Sequence, residues 1–154
     1  MTLFLSSFEN KIDKKGRVSV PSTFRNAIKN EEFQGVILYR SFTSKCIEGC
    51  TISRMQELSD ATDSLNLFSK EQSELATLIF AGARELPFDV AGRIIIPADM
   101  LKDVEIKDSA LFVGIGKTFQ IWNKEEFSKI QKLSIEQAKK IPPSLKLNKG
   151  SLKI

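Results

Sequence analysis

FLSSFENKIDKKGRVSVP, residues 4–21, returns 76 positions further on as FAGARELPFDVAGRIIIP, residues 80–97. Six of the eighteen positions are identical: Phe4 with Phe80, Glu9 with Glu85, Asp13 with Asp89, Gly16 with Gly92, Arg17 with Arg93 and Pro21 with Pro97. Ordinary residue frequencies would give roughly one. Val18 with Ile94 and Val20 with Ile96 are conservative partners in the same window, so the chain reads as a tandem duplication. Two copies are too few for a solenoid and predict a pseudo-symmetric pair that buries a shared core.

The centre of each copy is D-x-x-G-R, an apolar run and a proline: DKKGRVSVP and DVAGRIIIP. Asp folds its carboxylate back onto amides a few residues ahead and Gly supplies a positive φ, so Asp13 with Gly16, and Asp89 with Gly92, shape tight turns. Arg17 and Arg93 then open strands. VSV alternates like a strand with one wet face, whereas III reads as buried on both. Pro21 and Pro97 end those strands and open short helices near residues 22–29 and 98–101. Further strands are predicted at VILYRSF, KCIEGCT, ALFVGIG and TFQIW. Thr51 caps a helix to about Ala61, and Ser69 with Gln72 begins a second to about Ala81 with Leu75, Leu78, Ile79 and Phe80 on one side. Asn123 with Glu126 caps a helix carrying Phe127, Ile130 and Leu133. From Ser134 the Lys-rich segment with Pro142, Pro143 and Gly150 reads as a solvated tail. The division is a first unit at 7–54, a helical spacer at 55–82, a second unit at 83–126, and a C-terminal helix and basic tail at 127–154.

Composition narrows the function. The 154 residues are 42% hydrophobic and 27% charged, ordinary for a globular domain. No apolar stretch is long enough for a membrane span, and MTLFLSSFENK lacks a basic n-region, so a cytoplasmic location is expected. The chain holds no histidine, which removes the commonest general base and metal ligand. Its two cysteines, Cys46 and Cys50, have no partner ligands and read as reduced, buried fillers. No metal, cofactor or small-molecule ligand is implied.

Charge is unevenly distributed. Residues 1–54 hold nine Lys/Arg against five Asp/Glu, 55–82 one against five, 83–133 eight of each, and 134–154 five against one. Lys11, Lys14, Lys15 and Arg17 crowd one turn, a projection suited to phosphates, although a solvated hairpin tip also explains the lysines.

With both turns in hand, the chain resembles the MraZ family of bacterial transcription regulators, whose units are similar to the swapped-hairpin SpoVT-AbrB class. The resemblance runs from residue 4 to about 133, through FENKIDKKGRVSVPSTFR, IFAGARELPFDVAGRIIIP and the FQIW strand with its following helix. It implies a mainly β fold with flanking helices (α+β), in which tandem swapped-hairpin units form a pseudo-symmetric β-barrel. It further implies ring-shaped homo-oligomers, associated with the nucleoid, that present D-x-x-x-R turns to double-stranded DNA. Such regulators bind short direct repeats upstream of their own operon, the division and cell-wall cluster, and usually repress it. Carried onto this sequence, the DNA-contacting residues are Lys14, Lys15 and above all Arg17, with Arg93 the equivalent in copy two. Val90 and Ala91 replace the lysines there, so copy two is expected to contact DNA less and Asp89 to pair with Arg93. Two departures, Ser6 where the family often has Gly and Arg54 with Met55 where an aromatic is common, lie away from the turns.

Arg17 carries the sharpest expectation, because a planar guanidinium grips guanine O6 and N7, or a phosphate, bidentately. The competing reading is a structural pair with Asp13, and both can hold together. Occlusion of polymerase is the expected route to repression. One rival is an enzyme using Asp13 and Asp89 as paired carboxylates, disfavoured because such a pair needs two different environments. The other is an assembly or antitoxin-like module without sequence-specific DNA binding.

Overall fold

The computed structural model describes residues 3–64, 68–141 and 144. Copy one supplies β1 (Ser7–Lys11), β2 (Arg17–Ser19), α1 (Ser22–Ile28), β3 (Gly35–Arg40) and β4 (Ile47–Cys50). The spacer forms α2 (Ile52–Asp63), α3 (Lys70–Ala76) and a π-helical turn at Thr77–Ala81. Copy two repeats the order with β5 (Arg84–Pro87), β6 (Arg93–Ile95), α4 (Ala98–Asp103), β7 (Ser109–Gly114) and β8 (Phe119–Trp122), and α5 (Lys124–Lys140) follows.

The copies are interleaved. Six strands form one antiparallel sheet in the order β1-β7-β8-β4-β3-β5, so the first strand of each copy pairs with the third strand of the other. β4 pairs with β8 at the centre, where Glu48, the second residue of its strand, faces Gln120, the second residue of the other. The remaining strands, β2 and β6, make a separate two-stranded ribbon in which Val18 faces Ile94, the residue 76 positions on. Pseudo-symmetry therefore holds residue by residue at both pairings.

The sheet does not close into the expected barrel: β1 and β5 are its two edges and are not paired to each other. The reason lies in the turns. Each edge strand runs through a D-x-x-G-R turn into β2 or β6, and those two pair with each other rather than with the sheet. The α+β class with flanking helices stands.

Alternation along β3 gives the sheet two buried faces. Leu38 and Val36 point into the main core with Phe4, Val18, Phe24, Ile28, Ile94, Phe112 and Phe119, beneath the ribbon, α1 and α4. Ile37 and Cys50 point the other way and pack with Met55 and Ile79 of the spacer. Phe24 is the hub of the main core, its ring lying 5.2 Å from Phe4, 5.7 Å from Phe8, 5.3 Å from Phe119 and 6.3 Å from Phe112. Edge-to-face aromatic packing of this kind adds to simple area burial. Both spacer helices start as expected: Thr51 Oγ1 accepts from the Arg54 amide and Ser69 Oγ from the Gln72 amide, each at 3.1 Å.

Three expectations change. Ile95 is 58% exposed rather than buried, because the ribbon keeps one face in solvent. Leu78 is 48% exposed while Ile79 is buried, since the π-helical turn breaks the 3.6-residue period assumed for that helix. Ser134 does not begin a tail: α5 continues through Lys140, with Lys139 and Lys140 in its last turn. Pro142, Pro143 and Gly150 of the expected tail lie outside the described residues. Residues 125–154 form a unit of their own, in which α5 carries exposed Ile130, Leu133 and Ile135 and an ion pair between Lys129 and Glu126 at 3.6 Å.

Candidate nucleic-acid interface

The two D-x-x-G-R turns are built alike. Asp13 Oδ1 accepts from the backbone amides of Lys15 and Arg17, both at 2.9 Å, while Oδ2 accepts from Arg17 Nε at 2.6 Å. Asp89 does the same with Ala91 and Arg93, and Arg93 Nε lies 2.8 Å from its Oδ2. The turn closes through the amide of Gly16 on the Asp13 carbonyl and of Gly92 on the Asp89 carbonyl, each at 3.0 Å. Both glycines take positive φ, +84° and +77°, which side-chain-bearing residues rarely adopt.

Electrostatics follow from that bonding. The Arg17 amide, joined by the Arg17 guanidinium and the Lys15 amide, holds the Asp13 carboxyl below its ordinary value. The Arg93 amide, its guanidinium and the Ala91 amide do likewise for Asp89. Both aspartates are thus carboxylates in matching surroundings at opposite ends of the ribbon. That arrangement gives an acid–base pair nothing to work with.

The ribbon decides where the arginines face. Directly opposed residues of an antiparallel pair share a face. Arg17 opposes Ile95 and Arg93 opposes Ser19, so all four lie on the outer side while Val18 and Ile94 are each 1% exposed beneath them. The pairing continues beyond the strands, with the Ile96 amide on the Gly16 carbonyl at 2.9 Å and the Val20 amide on the Gly92 carbonyl at 3.1 Å. Each guanidinium is tethered through Nε, and among the described residues no hydrogen bond is made by its two terminal amino groups. The two roles that the sequence suggests for Arg17, partner of Asp13 and outward donor, are therefore compatible in one geometry.

Lys14 and Lys15 stand exposed at the tip of the first turn, with no ion pair among the described residues. At the second tip Val90 and Ala91 are exposed instead. The sequence does not single out Arg25, whose guanidinium packs on Gly92 at that second turn. The available signal is Arg25 with Lys29, one helical turn apart beside the apolar stripe of Phe24 and Ile28.

The cysteines take no part. Both are free and buried, and burial, with Glu48 adding to it, pushes the Cys46 and Cys50 thiols up to about 12. Among the described residues no group of three His, Cys, Asp or Glu is placed to hold a metal ion, and no helix is long and apolar enough to cross a membrane.

Comparison with known proteins gives the family of the chain. A family model described as "MraZ protein, putative antitoxin-like" matches residues 3–74 and 79–144. A protein of Pelagibacter ubique named "Transcriptional regulator MraZ" is 46% identical over 151 residues, covering 98% of this chain and 93% of its own. Proteins of the same name from Rickettsia bellii and Rickettsia akari are 42% and 41% identical, each over 89% of this chain and 95% of their own. With its duplicated turns, interleaved copies and matches along nearly all its length, the chain belongs to the MraZ family.

Proposed function

We propose that the chain is a transcription regulator that binds double-stranded DNA sequence-specifically through the outer face of the β2–β6 ribbon. The observation that carries this reading is the placement of Arg17 and Arg93 on one solvent-facing side, each anchored through Nε with terminal donors that make no hydrogen bond among the described residues. A two-stranded ribbon fits the major groove, and an oriented guanidinium reads guanine there. Lys14 and Lys15 add phosphate affinity beside Arg17, and Asp13 and Asp89 act as positioning residues.

A protomer with so few cations binds weakly at physiological salt, so function requires several ribbons engaged together. The reading therefore includes a ring-like homo-oligomer on promoter-proximal direct repeats, repressing the division and cell-wall cluster by occluding polymerase. Its units are swapped hairpins of the AbrB kind at 7–54 and 83–126, acting in the cytoplasm on the nucleoid without a small-molecule ligand. The antitoxin-like description of the family favours a second reading, an assembly module without sequence preference.

Nuclease footprinting of the region upstream of the protein's own gene separates the two. Short, evenly spaced protected segments that survive scrambled competitor DNA are expected. Protection no better than on scrambled DNA would favour the assembly module.

A further inference from the structure

The two ends of the ribbon differ in how they are charged. At the first turn Asp13 offsets Arg17, and Lys14 and Lys15 leave a surplus of positive charge. At the second, Asp89 offsets Arg93, and Val90 and Ala91 add nothing. Taken along the chain alone, copy two presents a neutral turn.

The interleaving of copies alters that. α1 of copy one lies beside the turn of copy two, and its Arg25 guanidinium covers Gly92 so closely that a Cβ there would stand 2.6 Å from the guanidinium carbon. Arg25 Nε donates to the Val20 carbonyl at 3.1 Å, which brings the group to the end of the ribbon. Lys29 lines the same open groove, with Ser22, Asn26 and Asp89. Neither cation has an ion-pair partner among the described residues. The pseudo-equivalent groove beside the first turn has Leu101 where Arg25 would be, and the cations that line it are Lys14 and Lys15 of the turn and Lys107, which stands beside Asp108. The first groove takes its cations from its turn and the loop after α4, the second from α1.

We propose that Arg25 and Lys29 form, beside Arg93, a second phosphate-binding surface for duplex DNA, built by copy one around the turn of copy two. This rests on the reading of the ribbon as the DNA-facing element. Gly16 and Gly92 are four residues apart along the ribbon, roughly 14 Å at the usual rise per residue. That spacing is close to the width of a major groove, about 12 Å. Cations at both ends can therefore meet the phosphates on its two sides while the ribbon face lies between them. Such phosphate contacts set position and affinity rather than sequence.

The test is equilibrium binding of the full chain to a fluorescent duplex of its own upstream region, and to a scrambled duplex, across a potassium chloride series. The proteins are wild type, Arg17→Ala, Lys29→Gln, Arg25→Gln with Lys29→Gln, and that double variant carrying Val90→Lys and Ala91→Lys. The expected result is a salt slope shallower by about 1 for each cation removed, equally on both duplexes. Lysines at 90 and 91 should restore it. Because Lys29 is exposed and has no ion-pair partner among the described residues, its variant reports on DNA even if substitution of Arg25 unsettles the fold. Unchanged slopes, alongside loss of binding by Arg17→Ala, overturn this inference and leave the ribbon reading intact. Failure of the added lysines to restore binding overturns it too, since Arg25 and Lys29 would then act through structure. If wild type binds neither duplex, the ribbon reading fails and takes this inference with it.

Discussion

Asp13 spends both carboxylate oxygens inside its own turn, two amides on one and a guanidinium on the other, and Asp89 repeats the pattern. Because hydrogen bonds to the charged form lower the carboxyl pKa, the turn is supported fully above the ordinary value of 3.8 and loses that support as pH falls below it. Followed by nuclear magnetic resonance, the Arg17 and Arg93 Nε–H signals should stay put between about pH 5 and 8 and move only under more acidic conditions. Movement near neutrality would mean that another group governs the turn. The glycines give a second expectation. Alanine at either position incurs the positive-φ cost, about 1–2 kcal/mol. Its Cβ at residue 16 also meets the Ile96 carbonyl oxygen at 2.8 Å, a backbone atom, whereas at residue 92 it meets the movable end of Arg25. Urea unfolding should therefore show Gly16→Ala as the more destabilising of the two, and equal effects would argue against the close approach.

At the scale of elements, Phe24 is the residue on which α1 depends, since its ring touches aromatic residues from both copies. Phe24→Ala should cost about 3–5 kcal/mol in the same unfolding measurement; a cost under about 1 kcal/mol would mean that the core closes over the gap. The turns, the strands other than β1 and β5, and both helix caps at Thr51 and Ser69 are legible in the sequence because each rests on chemistry local to a few residues. The exposure of Ile95 is not, because III looks the same in a central strand and in a two-stranded ribbon with one face wet. The π-helical turn at Thr77–Ala81 is invisible to a 3.6-residue period, and the far half of α5 is hidden because its lysine-rich composition is also that of a solvated tail. Arg25 escapes for a different reason. Its neighbour Gly92 lies 67 positions away, and no local pattern announces that α1 packs on the other copy's turn.

At the scale of the molecule, the duplication predicts a shared core, and the pairing of β1 with β7, β3 with β5 and β2 with β6 shows how it is shared. Neither copy holds a complete set of strand partners. Fragments of residues 1–82 and 83–154 should each fail to fold as monomers and should form a cooperative complex when mixed, as circular dichroism and sedimentation would show; a stable folded monomer from either would contradict the interleaving. The same exchange places both turns at the ends of one ribbon, and the functional reading depends on that ribbon. Its most direct test is equilibrium binding of wild type and Arg17→Ala to the protein's own upstream DNA, with scrambled competitor and with oligomeric size measured in parallel. Specific binding by wild type, weakened by at least about tenfold in a variant of unchanged size, is the predicted result, the size of effect expected for one bidentate base pair; equal binding by both would leave Arg17 as a partner of Asp13 alone and place the DNA-reading surface elsewhere.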